Sequence, residues 1–322
     1  MTVLKDGTVA VVGRPNAGKS TLVNALVGHK IGIVSPRPQT TRHDLRGVVR
    51  GEGCRIVFVD TPGTHRPLHQ MNRGMMEAVR GSLAGCDAVC LVVEATDRGG
   101  GGIEFLFDLV GTATAPRILV PSKIDMVQKN RLLPMIASYT SKKSFDAVVP
   151  VSAKTGDGLP ILLEEIVKFL PEVRSIPAED PPEATADFRI AELIREALLL
   201  RCGEEIPYTT AVRIDGIRPP EKEGAVHRVV ATIVVDRNGQ KKIVVGSGGK
   251  MIKDIGTEAR QGIEALLGNR VFLDLQVIVE EGWREDQRFL SELPSPEKKS
   301  EIFSGDDDDD DEGGPGDSDD MD

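Results

Sequence analysis

The chain has 322 residues, of which 40% are hydrophobic and only 4% aromatic, enough for two compact domains with aliphatic cores and too apolar for a fibrous or wholly disordered chain. Its net charge of -10 is misleading, because the last segment, SGDDDDDDEGGPGDSDDMD, holds 11 acids and no base and leaves the rest at +1. A polyanionic partner of the body therefore stays open. The four cysteines form no CxxC pair and sit mostly in apolar runs, which predicts reduced, buried thiols and no structural metal. The N-terminus MTVLKDGTVAVV lacks the basic start and long apolar core of a signal peptide, and no run approaches about 18 apolar residues, so a cytoplasmic place is expected.

Up to about residue 170, the runs TVAVVG, RIVFVD, AVCLVVEA, RILVPS and AVVPVSA read as strands alternating with amphipathic stretches. Near-continuous aliphatic strands suit a parallel sheet covered on both faces, and the alternation predicts an α/β doubly wound domain.

The first strand leads into GRPNAGKS and then the helical STLVNALVG. That loop matches GxxxxGK[ST] in its required strand–loop–helix setting, where backbone N–H groups wrap phosphates at a helix N-terminus. Gly13, Arg14, Pro15, Asn16, Ala17 and Gly18 form the loop, and Lys19, Ser20 and Thr21 open the helix. Lys19 is expected on the outer phosphates and the Ser20 hydroxyl on Mg²⁺.

Next, PQTTRH offers Thr40 and Thr41 as a second Mg²⁺ hydroxyl in a switch segment, with Thr41 preferred. VDTPG closes the strand RIVFVD: Asp60 is expected to hold Mg²⁺ through water, Thr61 and Pro62 to shape the turn, and the Gly63 N–H to sense the γ-phosphate. Lys19, Thr41 and Gly63 are the candidate catalytic set.

The strand RILV ends in PSKID, at the carboxyl edge where open parallel sheets bind ligands. Asp125 has the chemistry to accept from guanine N1–H and its exocyclic amine, while adenine would leave the carboxylate unpaired. Discrimination of roughly 10⁴ follows from such a site. Lys123 is expected to lay its stem over the base. VSAK ends the next strand, with Ser152, Ala153 and Lys154 beside the base and the Ala153 N–H within reach of the guanine carbonyl.

After LPEVRSIPAEDPPEATAD, which reads as a connection, FRIAELIREALLLRCG predicts a helix, and TAVRIDGIRPP and VHRVVATIVVDRNG predict strands, with Asn238-Gly239 as a turn. KKIVV reads as a short strand before the glycine-rich GSGG and a helix, and RVFLDLQVIVEEGW as the closing strand. The order is α-β-β-α-β with room for one more short helix. Within it, Gly246, Ser247, Gly248 and Gly249 form GxxG, followed by Lys250 and Lys253 and preceded by Lys241 and Lys242. A lone GxxG is weak, but with these lysines and this element order it resembles a type II KH domain, and that resemblance implies an RNA-binding loop.

The ordered nucleotide motifs resemble the translation-factor class of GTPases. GRPNAGKSTLVNALVG, SPRPQTTRHDLRG and VDTPGTH resemble more closely the Era family of bacterial ribosome-assembly GTPases, over roughly residues 7 to 290. The resemblance implies a GTPase domain at 1–172, a linker at 173–187, a type II KH domain at 188–290 and an acidic tail at 291–322, which composition predicts to be disordered. It implies GTP and GDP with Mg²⁺ as ligands, the 3′ end of 16S rRNA within the 30S subunit as partner, a monomer, and at most peripheral contact with the cytoplasmic face of the inner membrane. It also makes Asn16 a candidate K⁺ ligand, against the alternative of a residue that only stabilises the turn.

Three departures matter. Ser122 replaces the usual Asn that bridges base loop and phosphate loop, which predicts weaker nucleotide binding with guanine choice retained. Thr64 stands where signalling GTPases place a water-orienting Gln and where relatives usually place an apolar residue, so slow intrinsic hydrolysis is expected. Ser247 stands where a basic residue is common, so one phosphate contact is expected to be missing. The tail reads either as a solvated extension or as a competitor of RNA for the basic KH face.

Overall fold

The computed structural model describes residues 3–297 apart from 38–39, 64–69, 98–100, 204–205, 207–208, 221 and 223. Thr64 and the acidic run Asp306 to Asp311 thus lie outside the described residues. The first domain is the predicted α/β sandwich. Its strands are β1 (Leu4–Gly13), β2 (Leu45–Gly51), β3 (Cys54–Asp60), β4 (Ala88–Glu94), β5 (Arg117–Ser122), β6 (Ala147–Val148) and β7 (Glu172–Val173). They run in the order β2-β3-β1-β4-β5-β6, with β7 paired to the start of β1. Helices α1 (Lys19–Val27), α2 (Gln70–Ala84), α3 (Gly101–Val110), α4 (Lys129–Thr140) and α5 (Leu159–Phe169) complete the domain.

Alternation along β1 divides the core. Val9 and Val11 pack with Leu22, Val23, Leu162 and Ile166, whereas Ala10 and Val12 pack with Met76, Val79, Ile103 and Leu106 on the other face. Burial on both sides explains the uninterrupted aliphatic strands. Strand β2 has no counterpart among the sequence-predicted strands. It pairs antiparallel to β3 at the sheet edge, Leu45 opposite Asp60, and its exposed Arg46 and Arg50 with Gly47 and Gly51 disguise it as loop.

The connection is pinned. Arg50 donates to the carbonyls of Pro177 and Ala178 and pairs with Asp180, while Arg55 pairs with Asp6 and donates to the Glu179 carbonyl. In the second domain, α6 (Ala186–Arg201) begins at Thr185, whose hydroxyl accepts from the Phe188 N–H. Strands β8 (Thr210–Arg218), β9 (His227–Val235) and β10 (Val271–Val279) form a sheet ordered β10-β9-β8, with β10 parallel to β9. Helix α8 (Lys250–Leu267) and α6 share one core with the sheet through Ile194, Leu198, Ile233, Ile255, Ala259 and Ile263.

Two readings are corrected here. KKIVV lies in a helix, α7 (Asn238–Val245), and Asn238-Gly239 is its first turn rather than a hairpin turn. The Gln240 side chain accepts from the Asp236 and Arg237 N–H groups, and this cap, with Val244 buried in the core, outweighs the strand preference of Ile243–Val245. At the other end, α9 (Gln287–Glu292) crosses residue 290, capped by Asp286 and anchored by Phe289 against the fully buried Trp283. The Thr185 N–H then donates to the Pro296 carbonyl at 3.1 Å, so the ordered chain continues past the expected start of the tail.

Candidate functional site

Gly13 to Ser20 joins β1 to α1 as predicted. Among the described residues only Asn16 (φ 65°) and Lys123 (φ 56°) adopt left-handed backbone without being glycine, and both lie in nucleotide loops. Such positions cost about 1–3 kcal/mol each and concentrate at functional sites. The Asn16 amide donates to the Pro36 carbonyl at 2.7 Å, tying the phosphate loop to the switch segment.

Lys19 is buried, its ammonium donating to the Gly13 and Arg14 carbonyls at 3.1 and 3.3 Å. Burial lowers its pKa to about 8 despite the attraction of Asp60, so the amine is held without a full counter-charge. Ser20 Oγ and Thr41 Oγ1 stand 2.7 Å apart, and Thr41 Oγ1 donates toward Asp60 Oδ2 at 3.5 Å. Asp60 is raised to about 6 by burial, partly offset by Lys19, and its Oδ1 is buried without a hydrogen-bond partner.

Two hydroxyls and the Asp60 carboxylate thus gather near a buried ammonium, and one oxygen of that carboxylate has no hydrogen-bond partner. The set suits a hard divalent cation held by oxygens next to phosphates. Thr41, rather than Thr40, faces this point; Thr40 turns its hydroxyl to the Arg37 carbonyl. Gly63 lies over the phosphate loop so closely that a Cβ would come within 2.9 Å of Pro15 Cα. A cleft of about 280 Å³ opens between the phosphate loop and the switch segment, with Lys123 on its rim.

At the base loop Ser122 reaches the phosphate loop directly. The Ser122 hydroxyl, although shorter than an amide, donates to the Ala17 carbonyl at 2.6 Å in a buried setting, so the bridge to the phosphate loop is made. Beside it, the Ser152 hydroxyl donates to Asp125 Oδ1 at 2.7 Å, aiming the carboxylate. The Lys123 stem passes over Gly18, where a Cβ would lie 3.8 Å from its Cε. Ala153 and Lys154 follow Ser152 at the same edge.

Sequence reasoning missed Glu94 and Asp97. Glu94 accepts from Lys123 Nζ at 2.9 Å, and Asp97 accepts from Arg14 at 2.9 Å. Their signal was an acid ending the apolar strand AVCLVVE, opposite Ser122 in the β4–β5 register. Also unforeseen were contacts of the switch segment with α6 and the start of β8. Arg195, almost wholly buried, donates to the Thr40 carbonyl and pairs with Glu192. Arg42 donates to the Thr210 carbonyl at 3.0 Å, the Val34 N–H to Glu196 at 3.0 Å, and His43 meets Phe188 edge-on at 5.3 Å.

In the second domain Gly246, Ser247, Gly248 and Gly249 link α7 to α8, and all three glycines have positive φ. Any Cβ on Gly246 would lie 2.8 Å from the Met251 nitrogen. Lys242, Lys250 and Lys253 are exposed around this loop and Lys241 is half-buried.

The fold and site define a P-loop GTPase joined to a KH domain. A family profile described as "50S ribosome-binding GTPase" matches residues 8–123, and a KH domain profile matches residues 205–284. The chain is 41% identical over 293 residues to GTPase Era of Geobacter metallireducens, covering 90% of this chain and 97% of that protein. Among solved structures, Era in complex with MgGDPNP and nucleotides 1506–1542 of 16S ribosomal RNA superposes with TM-score 0.86 at 33% identity, covering 90% of this chain and 98% of that one. Aquifex aeolicus Era, as a variant bound to GDP·AlF4⁻, gives TM-score 0.84 at 33% identity, covering 90% and 99%. The chain belongs to the Era family and is a GTPase.

Proposed function

We propose that this chain hydrolyses Mg²⁺-GTP to regulate its hold on the 3′ end of 16S rRNA during assembly of the 30S subunit. The observation that carries the nucleotide half is the cluster of Ser20, Thr41 and Asp60, linked at 2.7 and 3.5 Å, beside the buried Lys19 of the cleft. The related Era held with 16S rRNA supports the RNA half, as does the lysine-flanked GxxG loop. On this reading 1–172 is the GTPase unit, 173–187 a pinned connection and 188–290, extended by α9, the RNA-binding unit, with the cytoplasm as its place and a monomer as its working form. Among the described residues no helix is long and apolar enough to cross a membrane.

Bound Mg²⁺ would neutralise charge between the outer phosphates, held by Ser20, Thr41 and, through water, Asp60. Lys19 exchanges its two loop carbonyls for phosphate oxygens and regains full protonation. The Gly63 N–H stands ready for the γ-phosphate, so γ-phosphate loss releases both the Gly63 and Thr41 segments. Asp125, aimed by Ser152, selects guanine; the Ser122 bridge keeps base and phosphate loops in register. With Thr64 offering no strong base, slow turnover rests on charge stabilisation by Lys19 and backbone donors.

The test is single-turnover GTP hydrolysis with and without RNA spanning nucleotides 1506–1542, in K⁺ and in Na⁺. Binding of that RNA with a nucleotide-dependent affinity supports the reading. Equal binding of unrelated RNA, or RNA affinity indifferent to GTP and GDP, refutes it. A rate difference between K⁺ and Na⁺ that Asn16→Ala abolishes would assign Asn16 to the cation.

A further inference from the structure

We propose that the acidic C-terminal run docks on the lysine face around the GxxG loop when RNA is absent, and must be displaced for RNA to bind. This rests on the RNA-binding reading above.

The lysine face is distinguished by clustering four unneutralised bases, where Lys129, Lys154 and Lys222 are single. Lys5, Lys30, Lys123, Lys142, Lys143 and Lys168 each pair with a carboxylate. Among the described residues, Lys241, Lys242, Lys250 and Lys253 have no such partner. Residues 237–253 carry five bases and no acid, and the glycine turns hold those bases on one short stretch of surface. The complementary charge within the chain is Asp306 to Glu312, seven consecutive acids. An exposed Lys–Asp pair is worth about 0–1 kcal/mol, so only a run against a cluster produces appreciable occupancy.

The tether has the required reach. Its anchor is fixed, because the Thr185 N–H holds the Pro296 carbonyl at the start of α6. The Arg201–Glu258 pair and the packing of Leu193 over Gly262 show that α6 and α8 run antiparallel, which puts Lys250 beyond the far end of α6. At about 1.5 Å per helical residue the separation is on the order of 35 Å. From Glu297 the extended chain spans about 30 Å to Asp306 and about 48 Å to Asp311, at roughly 3.4 Å per residue. The acids begin near the distance of the lysines, and the later ones of the run lie beyond it in reach. Tethering at this length gives an effective concentration on the order of millimolar, sufficient for a weak contact to occupy the face.

The test compares the full chain with two variants: one carrying Asn at each of Asp306 to Asp311 and Glu312→Gln, the other ending after Phe303. RNA spanning nucleotides 1506–1542 is titrated at low salt and at about 0.5 M salt, where the Debye length falls to a few ångströms. Both variants should bind about three- to tenfold more tightly than the full chain at low salt, and the difference should vanish at high salt. In the full chain without RNA, a carbodiimide should join the acidic run to Lys241, Lys242, Lys250 or Lys253, and RNA should suppress those crosslinks. Equal affinities, or crosslinks falling elsewhere or persisting with RNA, overturn the proposal. Absence of RNA binding by all three proteins would instead refute the RNA-binding reading, with the crosslinks still deciding where the tail sits.

Discussion

Ser122→Ala tests the bridge between the two nucleotide loops. The hydroxyl donates to the buried Ala17 carbonyl at 2.6 Å and, more weakly, to the Val93 carbonyl at 3.3 Å. Its removal leaves a buried acceptor unpaired, a loss of about 1–3 kcal/mol shared between fold stability and nucleotide binding. Assigning about 1 kcal/mol to binding gives a roughly fivefold weaker hold on GTP and on GDP, with the preference over ATP unchanged because the proposed function gives that choice to Asp125. Displacement of a fluorescent guanine nucleotide at fixed Mg²⁺, competed by GTP, GDP and ATP, reads all three. Unchanged GTP affinity would show that the bridge does not shape the loop, and a shift of more than about threefold in the GTP/ATP ratio would refute the division of labour. Because the serine already bridges, Ser122→Asn has only one extra hydrogen bond to add and should stay within about threefold of the parent.

Ser152→Ala frees the Asp125 carboxylate from its aiming hydroxyl, so guanine preference should fall about five- to tenfold while phosphate binding persists, as ATP competition would reveal. Nucleotide affinity should peak between about pH 6 and 8: Asp60, raised to about 6, takes up a competing proton below that range, and Lys19, lowered to about 8, loses its charge above it. In that window the raised carboxylate and the lowered ammonium both oppose stability of the nucleotide-free protein, so Mg²⁺-GTP should raise Tm most there; a pH-flat Tm gain would contradict the assignment. Arg195→Met, which removes the donor to the Thr40 carbonyl, should leave basal hydrolysis within about threefold but abolish the dependence of RNA affinity on nucleotide, measured as the GTP/GDP ratio of RNA dissociation constants.

The nucleotide motifs were legible because phosphate wrapping and guanine choice demand particular residues at strand ends, and their context was a run of buried strands. The parallel strands were legible for the same reason. Strand β2 was not, since an edge strand with exposed Arg residues gives no buried-run signal. Helix α7 was misread because Ile243–Val245 has the composition of a strand, while what decides its state is the Gln240 cap and burial of Val244. Lateral contacts were harder to see. The Ser122–Ala17 bridge, 105 residues apart, was announced by its place in the base-loop motif and Glu94 only by an acid at a strand end, while Arg195 and Thr40, 155 residues apart, share no local pattern.

In the proposed function the coupling falls to two neighbouring residues of the switch segment that face opposite ways. Thr41 turns its hydroxyl toward Ser20 and Asp60, while the carbonyl of Thr40 accepts from Arg195 on α6. A hydrogen bond of this kind survives only a few tenths of an ångström of displacement, so drawing Thr41 onto a cation shifts the acceptor that Arg195 needs. Arg195 is almost fully buried and shares its charge with Glu192; leaving part of such a guanidinium unmatched is expensive, and α6 is therefore driven to follow or to release. Arg42 and His43 extend the same contact to Thr210 and Phe188. Since α6 packs directly on α8, whose first turn bears Lys250 and Lys253, the nucleotide site and the lysine face are connected through one helix pair. A coupling of about 1–3 kcal/mol needs no more than the gain or loss of these few buried contacts, and reciprocity requires RNA binding to change GTP affinity by the same factor.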